Sequence, residues 1–146
     1  MEQILLIDDE EAVVEVIERV LSHFGYAVTI ARDGEEGLRL FNASPGFKCV
    51  VTGISMPRMN GNEVARHIRI SDRAKTPVIA MTGCVEETIE RGLFNLHLIK
   101  PFMIRSLIEA IKSFASGRRL GAPEPQTSEM NSIPGNIRRR FREGHC

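Results

Sequence analysis

Five short apolar runs, each followed by a stretch with helical spacing, most limit the folds that this chain can adopt. The runs cover residues 4–7, 26–31, 47–52, 77–81 and 96–99. Short continuous apolar runs are typical of strands that are buried on both faces, as they are in parallel sheets. Strands that alternate with helices in this way predict an α/β protein with a mostly parallel sheet.

Helices are predicted between the strands and after the last one. Residues 10–24 place their apolar side chains on one helical stripe, and Gly25 is well placed to end that helix. Asp33 is a candidate cap for the second helix. Further helices are predicted over residues 62–70 and about 86–93, and the last one begins near residue 104 and ends near residue 117. The pattern therefore predicts five helices around five strands.

The length of 146 residues accommodates one domain of ordinary size and a tail. We expect a folded domain over residues 1–116. Residues 117–146 are expected to be a flexible segment, made of a Pro-containing linker and a basic C-terminal tail. The net charge of the whole chain is zero, but it is −3 over residues 1–116 and +3 over residues 117–146.

The cysteines and the N-terminal residues argue against an exported protein. Cys49, Cys84 and Cys146 are odd in number and far apart, so we expect neither a disulfide framework nor a zinc site. The first residues have no basic start, and no apolar stretch approaches the roughly 18 residues needed to span a bilayer. We therefore expect a cytoplasmic protein with no membrane insertion.

Polar residues follow several of the predicted strands. Asp8 and Asp9 end the first run, Gly53 lies at the end of the third, and Thr82 and Lys100 follow the fourth and fifth. In open α/β sheets, ligands bind beyond the carboxyl ends of the strands. Acids, a hydroxyl and an ammonium at this edge suit Mg²⁺ and phosphate. The alternative is that the two acids only cap or form ion pairs, but the alignment of all four positions favours a site or the remnant of one.

Four motifs together resemble the receiver domain of bacterial response regulators over about residues 3–116. They are Ile-Leu-Leu-Ile-Asp-Asp at the first run, Met-Pro-x-Met-x-Gly at 56–61, Pro-Val-Ile-Ala-Met-Thr at 77–82 and Lys-Pro-Phe at 100–102. The resemblance implies a CheY-like, flavodoxin-like fold. In this fold a doubly wound five-stranded parallel sheet, with strand order 2-1-3-4-5, is flanked by five helices.

The same resemblance implies a role for each residue at the strand ends. In the family, the two acids bind Mg²⁺ with help from the acceptor aspartate and from the backbone carbonyl two residues later. These roles fall on Asp8, Asp9 and the backbone of Ser55. The threonine and lysine that hold phosphoryl oxygens correspond to Thr82 and Lys100, and the peptide bond between Lys100 and Pro101 is expected to be cis.

Gly53 is the main departure from the family, because it occupies the position of the phospho-acceptor aspartate. Glycine has no nucleophile, so no acyl phosphate can form there. Thr52 does not substitute for it, since alternate residues of a strand point to opposite faces. With one carboxylate missing we expect weak or absent Mg²⁺ binding, and we expect Lys100 to pair with Asp8 or Asp9.

His97 is the second departure, because receivers usually carry a tyrosine or phenylalanine three residues before the lysine. In receivers this aromatic side chain turns inward when the threonine moves toward the phosphoryl group. Either this movement has been lost here or it responds to another cue, and a histidine titrating near neutrality would respond to pH. The favoured interpretation is a solvated histidine at the edge of the sheet.

These residues favour a signalling module that binds a partner protein without being phosphorylated at the usual position. The expected partner is a histidine kinase, a phosphotransfer protein or an effector that contacts the fourth and fifth predicted helices. The expected oligomeric state is a monomer or a weak dimer. One alternative is a working phosphorelay response regulator. In that case it is phosphorylated on another residue, or Gly53 is a change particular to this version of the chain.

Enzymatic and nucleic-acid functions are weaker hypotheses. A phosphatase with Asp8 as nucleophile usually has an Asp-x-Asp pair, whereas the acids here are adjacent, so we expect no enzyme. Four arginines flank one phenylalanine in the sequence of the tail, and this composition suits contact with RNA, an acidic membrane or a partner protein. A disordered tail is the favoured interpretation. A further possibility is that the tail folds back on the acidic domain. The arginines are Arg138, Arg139, Arg140 and Arg142.

Overall fold

The computed structural model of the chain describes residues 2–83 and 88–115. Five parallel strands form one sheet in the order β2-β1-β3-β4-β5, which confirms the predicted doubly wound topology. The strands are β1 (Gln3–Ile7), β2 (Ala27–Ala31), β3 (Phe47–Gly53), β4 (Val78–Thr82) and β5 (Leu96–Ile99).

Four α-helices cover the sheet within the described residues. They are α1 (Glu11–His23), α2 (Gly34–Ala43), α3 (Gly61–Arg69) and α4 (Ile104–Ala115). None of them combines the length and the apolar character that crossing a bilayer requires. The predicted tail, residues 117–146, lies outside the described residues, as does Cys84.

The two faces of the sheet carry separate apolar cores. Alternate residues of β1 divide between them: Ile4 and Leu6 pack with α1 and α4, whereas Leu5 and Ile7 pack with α2 and α3. Because successive side chains of a strand point to opposite faces, both halves of each apolar run are buried. This double burial is why the strands read as unbroken apolar runs in the sequence.

Local signals end and begin the helices as the sequence indicates. Gly25 follows α1 with φ +91°, a left-handed conformation that glycine adopts without a Cβ clash, and its N–H donates to the Ser22 carbonyl at 3.0 Å. Asp33 caps α2 by accepting a hydrogen bond from the Glu36 N–H at 2.8 Å. Asn60 and Glu63 form a reciprocal capping box at the start of α3.

The prediction of a fourth helix at about residues 86–93, and with it of five helices, is wrong for the residues that the structure describes. Among the described residues of this connection only a 3₁₀ turn, Arg91–Leu93, is helical. The connection has 13 residues, fewer than the 15, 19 and 24 residues of the other three connections. A crossover between parallel strands, including its helix, needs about a dozen residues, so this connection is close to the lower limit. The connection therefore has little length to spare, and its described backbone bonds to side chains of α3 instead of forming a longer helix.

Side chains of α3 hold this short connection in place. Arg69 donates to the Leu93 carbonyl at 3.0 Å and to the Asn95 side chain at 2.7 Å. Asn62 donates to the Thr88 carbonyl at 2.8 Å and accepts from the Glu90 N–H at 2.9 Å. The backbone of the connection thus obtains from α3 the hydrogen bonds that a helix would have supplied internally.

Candidate functional site

A crevice of about 250 Å³ lies at the carboxyl edge of the sheet, where four strands end. It is lined by residues that follow β1, β3, β4 and β5. These are Asp8, Asp9, Glu10, Gly53, Ile54, Ser55, Met81, Gly83 and Lys100. The structure thus brings together five of the residues singled out in the sequence, Asp8, Asp9, Gly53, Ser55 and Lys100. Thr82 and His97 are not among the lining residues.

Asp8 is the most buried carboxylate of the crevice, with 2% of its surface exposed. One of its oxygens accepts a hydrogen bond from the Glu10 N–H at 2.9 Å. Burial raises the pKa of Asp8 above its usual value, and this effect outweighs the opposing influence of Lys100. Asp8 is therefore a carboxylate whose charge depends on the cation beside it.

Lys100 supplies that cation and is itself 8% exposed. Its Nζ lies 3.4 Å from Asp8 Oδ2 and 2.5 Å from Glu10 Oε1. Burial lowers the pKa of Lys100, but Asp8 and Glu10 more than offset burial, so its pKa lies above the usual value. The peptide bond between Lys100 and Pro101 is cis, as expected.

Glu10 is the crevice residue that the sequence analysis missed. It occupies the N-cap position of α1 and makes the shorter of the two contacts to Lys100. The expected partner of Lys100 was Asp8 or Asp9, and the structure pairs it with Asp8 while Asp9 is exposed. A signal was present, because a residue two places after a strand-end acid lies at the same edge of the sheet. With Glu10 included, three acids and one lysine give the crevice a formal charge of −2.

Gly53 ends β3 directly beside Asp8. A Cβ atom at Gly53 would lie 3.0 Å from Asp8 Oδ2 and 3.2 Å from Asp8 Cγ. A side chain here fits only if Asp8 moves by a few tenths of an ångström. The Thr52 hydroxyl donates to the Gly53 carbonyl at 2.8 Å and is fully buried, which leaves it unsuited to act as a nucleophile in the crevice.

Pairing register separates Thr82 from Gly53. Gly53 pairs with Met81, and Thr82 pairs with Ile99 of β5. Since neighbouring paired residues of parallel strands point to the same face, Met81 rather than Thr82 lies beside Gly53. The Thr82 hydroxyl is buried and has no hydrogen-bond partner among the described residues.

His97 lies on β5 opposite Ala80, half-buried rather than fully solvated. Burial lowers its pKa, and the nearby Arg91 lowers it further. A pKa below the usual value near 6.5 keeps the imidazole neutral at physiological pH.

The described acids do not assemble into a metal centre. Within residues 2–83 and 88–115, no group of three or more His, Cys, Asp and Glu side chains is placed to hold a metal ion. The Lys100 ammonium lies against the carboxylate that would face such an ion. Mg²⁺ prefers several oxygen ligands in an octahedral arrangement, and the carboxylates that line the crevice are those of Asp8, Asp9 and Glu10.

Known proteins resemble this chain in sequence. A model of the response regulator receiver domain family matches residues 4–112. Response regulator RR06 of Streptococcus pneumoniae is 36% identical over 114 residues, which cover 75% of this chain and 51% of that protein. The chain spans about half the length of the curated relatives it matches.

Solved structures also resemble it in fold. The response regulator TrrA of Thermotoga maritima, in complex with Mg²⁺ and BeF, matches with a TM-score of 0.69 and 29% identity, over 78% of this chain and 99% of that one. The receiver domain of a sensor histidine kinase from Pseudomonas aeruginosa, with a magnesium ion in its active site cleft, has a TM-score of 0.71 and 25% identity, over 79% of this chain and 98% of that one.

Proposed function

Because the chain belongs to the response regulator receiver domain family, we propose that it is a two-component signalling module that acts by binding a partner protein without being phosphorylated at position 53. The observation that carries this proposal is the end of β3, where Gly53 supplies no carboxylate and the neighbouring Asp8 is paired with Lys100. An acyl phosphate needs a carboxylate nucleophile, and the Lys100 ammonium here already contacts Asp8 and Glu10.

In this proposal the crevice has one stable arrangement. The three charged groups Asp8, Glu10 and Lys100 satisfy one another without an ion or a phosphoryl group. Thr82 and His97, which correspond to the switch residues of the family, are proposed to be structural here. The placement of Thr82 on the face away from Gly53 supports this assignment.

We propose that Mg²⁺ binding is weak or absent at Asp8, Asp9 and the Ser55 carbonyl. The missing carboxylate at position 53 and the Lys100 ammonium beside Asp8 both act against a divalent cation. Titration of the full chain with MgCl₂ by calorimetry should therefore detect no binding with a dissociation constant below the millimolar range. Saturable binding at micromolar concentration would contradict this part of the proposal.

The proposed partner is a histidine kinase, a phosphotransfer protein or an effector. The partner was expected to contact the fourth and fifth predicted helices. The described part of the β4–β5 connection has a 3₁₀ turn instead of the fourth predicted helix, so the shape of this surface differs from the expected one. A partner that approaches this side meets the turn, β5 and α4. The curated relatives are about twice as long as the matched region, so the match covers only part of each of those proteins.

Incubation of the full chain with acetyl phosphate and MgCl₂, followed by intact-mass spectrometry, tests the central proposal. We expect no mass increase corresponding to a phosphoryl group. Gly53→Asp serves as the matched variant, because it restores the carboxylate at the same place. A stoichiometric adduct on the unaltered chain would overturn the proposal.

A second candidate is a working response regulator that is phosphorylated on another residue. Asp9 favours this candidate, since it is an exposed carboxylate that lines the crevice. If an adduct forms on the unaltered chain and is lost in Asp9→Asn, this second candidate replaces the first.

A further inference from the structure

The acidic crevice continues into an apolar groove. The groove has a volume of about 450 Å³, and Glu10 and Lys100 line both cavities. Its walls are apolar side chains of α1 and of the residues after Lys100. They are Ala12, Val13, Val16, Ile17, Phe102 and Ile104. Val16 is 57% exposed and the adjacent Met103 is 44% exposed, so a large part of this apolar surface faces water.

Acidic side chains of α1 and of the residues just before it border one side of the groove. Glu10 borders it, and the exposed residues Glu11 and Glu15 precede Ala12 and Val16 on α1. Asp9 lies in the adjoining crevice. Basic groups are also present: Lys100 lines the groove and pairs with Glu10, Arg32 pairs with Glu11 at 3.7 Å, and Arg105 is exposed next to Ile104. A ligand for this surface therefore needs apolar side chains for the groove and positive charge for its acidic border.

One segment of the same chain has this combination. Ile137 and Phe141 are four positions apart in the sequence, so a single helical turn would place both side chains on one side. The positions between and after them are occupied by four arginines, Arg138, Arg139, Arg140 and Arg142. The domain up to residue 116 has a net charge of −3, and the remainder has +3.

We propose that residues 137–142 bind in the groove between α1 and the segment that follows Lys100. Ile137 and Phe141 pack against the apolar wall that contains Val16. The arginines lie at the acidic border formed by Glu10, Glu11 and Glu15. This contact holds whether or not the crevice accepts a phosphoryl group, so it does not depend on the proposed function.

The chain is long enough for this contact. The groove lies at the start of α4, and α4 has 12 residues, which span about 18 Å. Residues 116–136 provide 21 residues between the end of α4 and the segment, and a linker of that length has a root-mean-square span of about 25 Å. Tethering at this length gives an effective concentration in the millimolar range, so even a weak contact is substantially occupied.

Amide NMR spectra of the full chain test the contact. The double variant I137S/F141S removes the two apolar side chains, and L120S/M130S removes two apolar side chains elsewhere in the tail as a matched control. We expect the first variant to shift the amide signals of residues 12–17 and 102–104, and the control to leave them unchanged. The shifts should not depend on protein concentration, and they should decrease when NaCl is raised from about 0.05 to 0.5 M.

A variant of the groove gives an independent measurement. Val16→Lys places a positive charge at an exposed position, so the fold should tolerate it while the arginine segment is repelled. The amide signals of residues 138–142 should then move to the positions observed in I137S/F141S. Absence of these shifts, equal shifts in the control variant, or shifts that disappear on dilution would each overturn the proposal. The last result would assign the groove to a second copy of the chain.

Discussion

At the scale of single residues, the Lys100 ammonium is shared between a buried carboxylate and a partly exposed one. Asp8 has little contact with water, whereas Glu10 is at an intermediate level of exposure. A buried charge is tolerated when it is paired and becomes costly when its partner is removed. The stability of the edge of the sheet should therefore depend strongly on Lys100 and on the ionisation of Asp8.

Lys100→Met tests this dependence. We expect the free energy of unfolding to fall by about 3–5 kcal/mol at pH 7, because Asp8 is left charged and buried. Burial raises the pKa of Asp8, so the folded protein binds a proton there more readily than the unfolded chain does. The stabilisation from protonated Asp8 is complete below the ordinary pKa of 3.8 and is lost as pH rises through the raised value. The destabilisation by Lys100→Met should therefore increase with pH.

Urea denaturation at several pH values measures this effect. The double variant Asp8→Asn/Lys100→Met is the control, and it should recover part of the loss because no charge remains buried. The raised pKa of Lys100 adds an alkaline limb in the unaltered protein. Its stabilisation is complete below 10.5 and is lost as pH rises through the value in the folded state. A loss that does not vary with pH would show that Asp8 is not the affected group.

Gly53→Asp should restore the carboxylate that is missing from the end of β3, and it should lower the stability of the metal-free protein. The new Cβ would lie 3.0 Å from Asp8 Oδ2, so the two carboxylates repel each other and Asp8 must shift. We expect a loss of about 1–3 kcal/mol in metal-free buffer, a higher Mg²⁺ affinity, and recovery of stability on adding MgCl₂. Thermal denaturation with and without MgCl₂ measures both. Gly53→Ala is the control for the close contact, and equal Mg²⁺ responses of the two variants would contradict the prediction.

The crevice residues differ in how far the sequence predicts them. Asp8 and Lys100 follow strands directly, so the carboxyl-edge rule brings them together. Thr82 also follows this rule, but its side-chain direction depends on the register between β3 and β4, which a single sequence does not specify. Glu10 was missed because it lies one place beyond the Asp8-Asp9 pair, at the N-cap position of α1, although it faces the same edge of the sheet.

At the scale of elements, hydrogen bonds from side chains of α3 hold the backbone of the β4–β5 connection in place. Arg69 donates to three backbone carbonyls, those of Ala74, Thr76 and Leu93, and to the Asn95 side chain. Asn95 in turn accepts a hydrogen bond from the Val78 N–H at 2.9 Å. One guanidinium therefore joins the end of α3, the start of β4 and the residue before β5.

Arg69→Ala should lower the free energy of unfolding by about 2–4 kcal/mol, because several carbonyls lose a charged donor. Arg66 offers a matched control on the same helix. Its ion pair with Glu90 is exposed on both sides, so Arg66→Ala should cost less than about 1 kcal/mol. Urea denaturation of both variants gives the comparison. Similar losses in the two variants would show that Arg69 does not organise the connection.

The elements themselves were predicted to the extent that each has a local signal. The five strands are continuous apolar runs, and the structure confirms all five within one or two residues. In place of the helix predicted over about residues 86–93, the described part of the connection has a 3₁₀ turn, and the reason lies elsewhere in the fold. The short connection must reach β5, and polar side chains of α3 compete for its backbone.

At the scale of the whole molecule, two apolar cores enclose the sheet. One is formed with α1 and α4 and the other with α2 and α3. Both consist of residues between Ile4 and Ala115. Because the described residues alone cover both faces of the sheet, we predict that the apolar interior of the folded unit does not need residues 117–146.

Deletion of residues 117–146 should leave cooperative unfolding intact. We expect a change in the free energy of unfolding of no more than about 1 kcal/mol and an unchanged denaturant slope, since surface-bound segments contribute little to the buried area. Guanidinium denaturation followed by circular dichroism measures both quantities. A broadened transition or a reduced slope would show that the tail is part of the core.

The closed set of charges at Asp8, Glu10 and Lys100 has a consequence for cells that make this protein. A module with no covalent mark to gain or lose has no memory of a past stimulus and needs no phosphatase to reset it. Under the proposed function its influence on a partner follows from the number of copies present. The cell would then regulate the amount of partner bound through the synthesis and degradation of this protein.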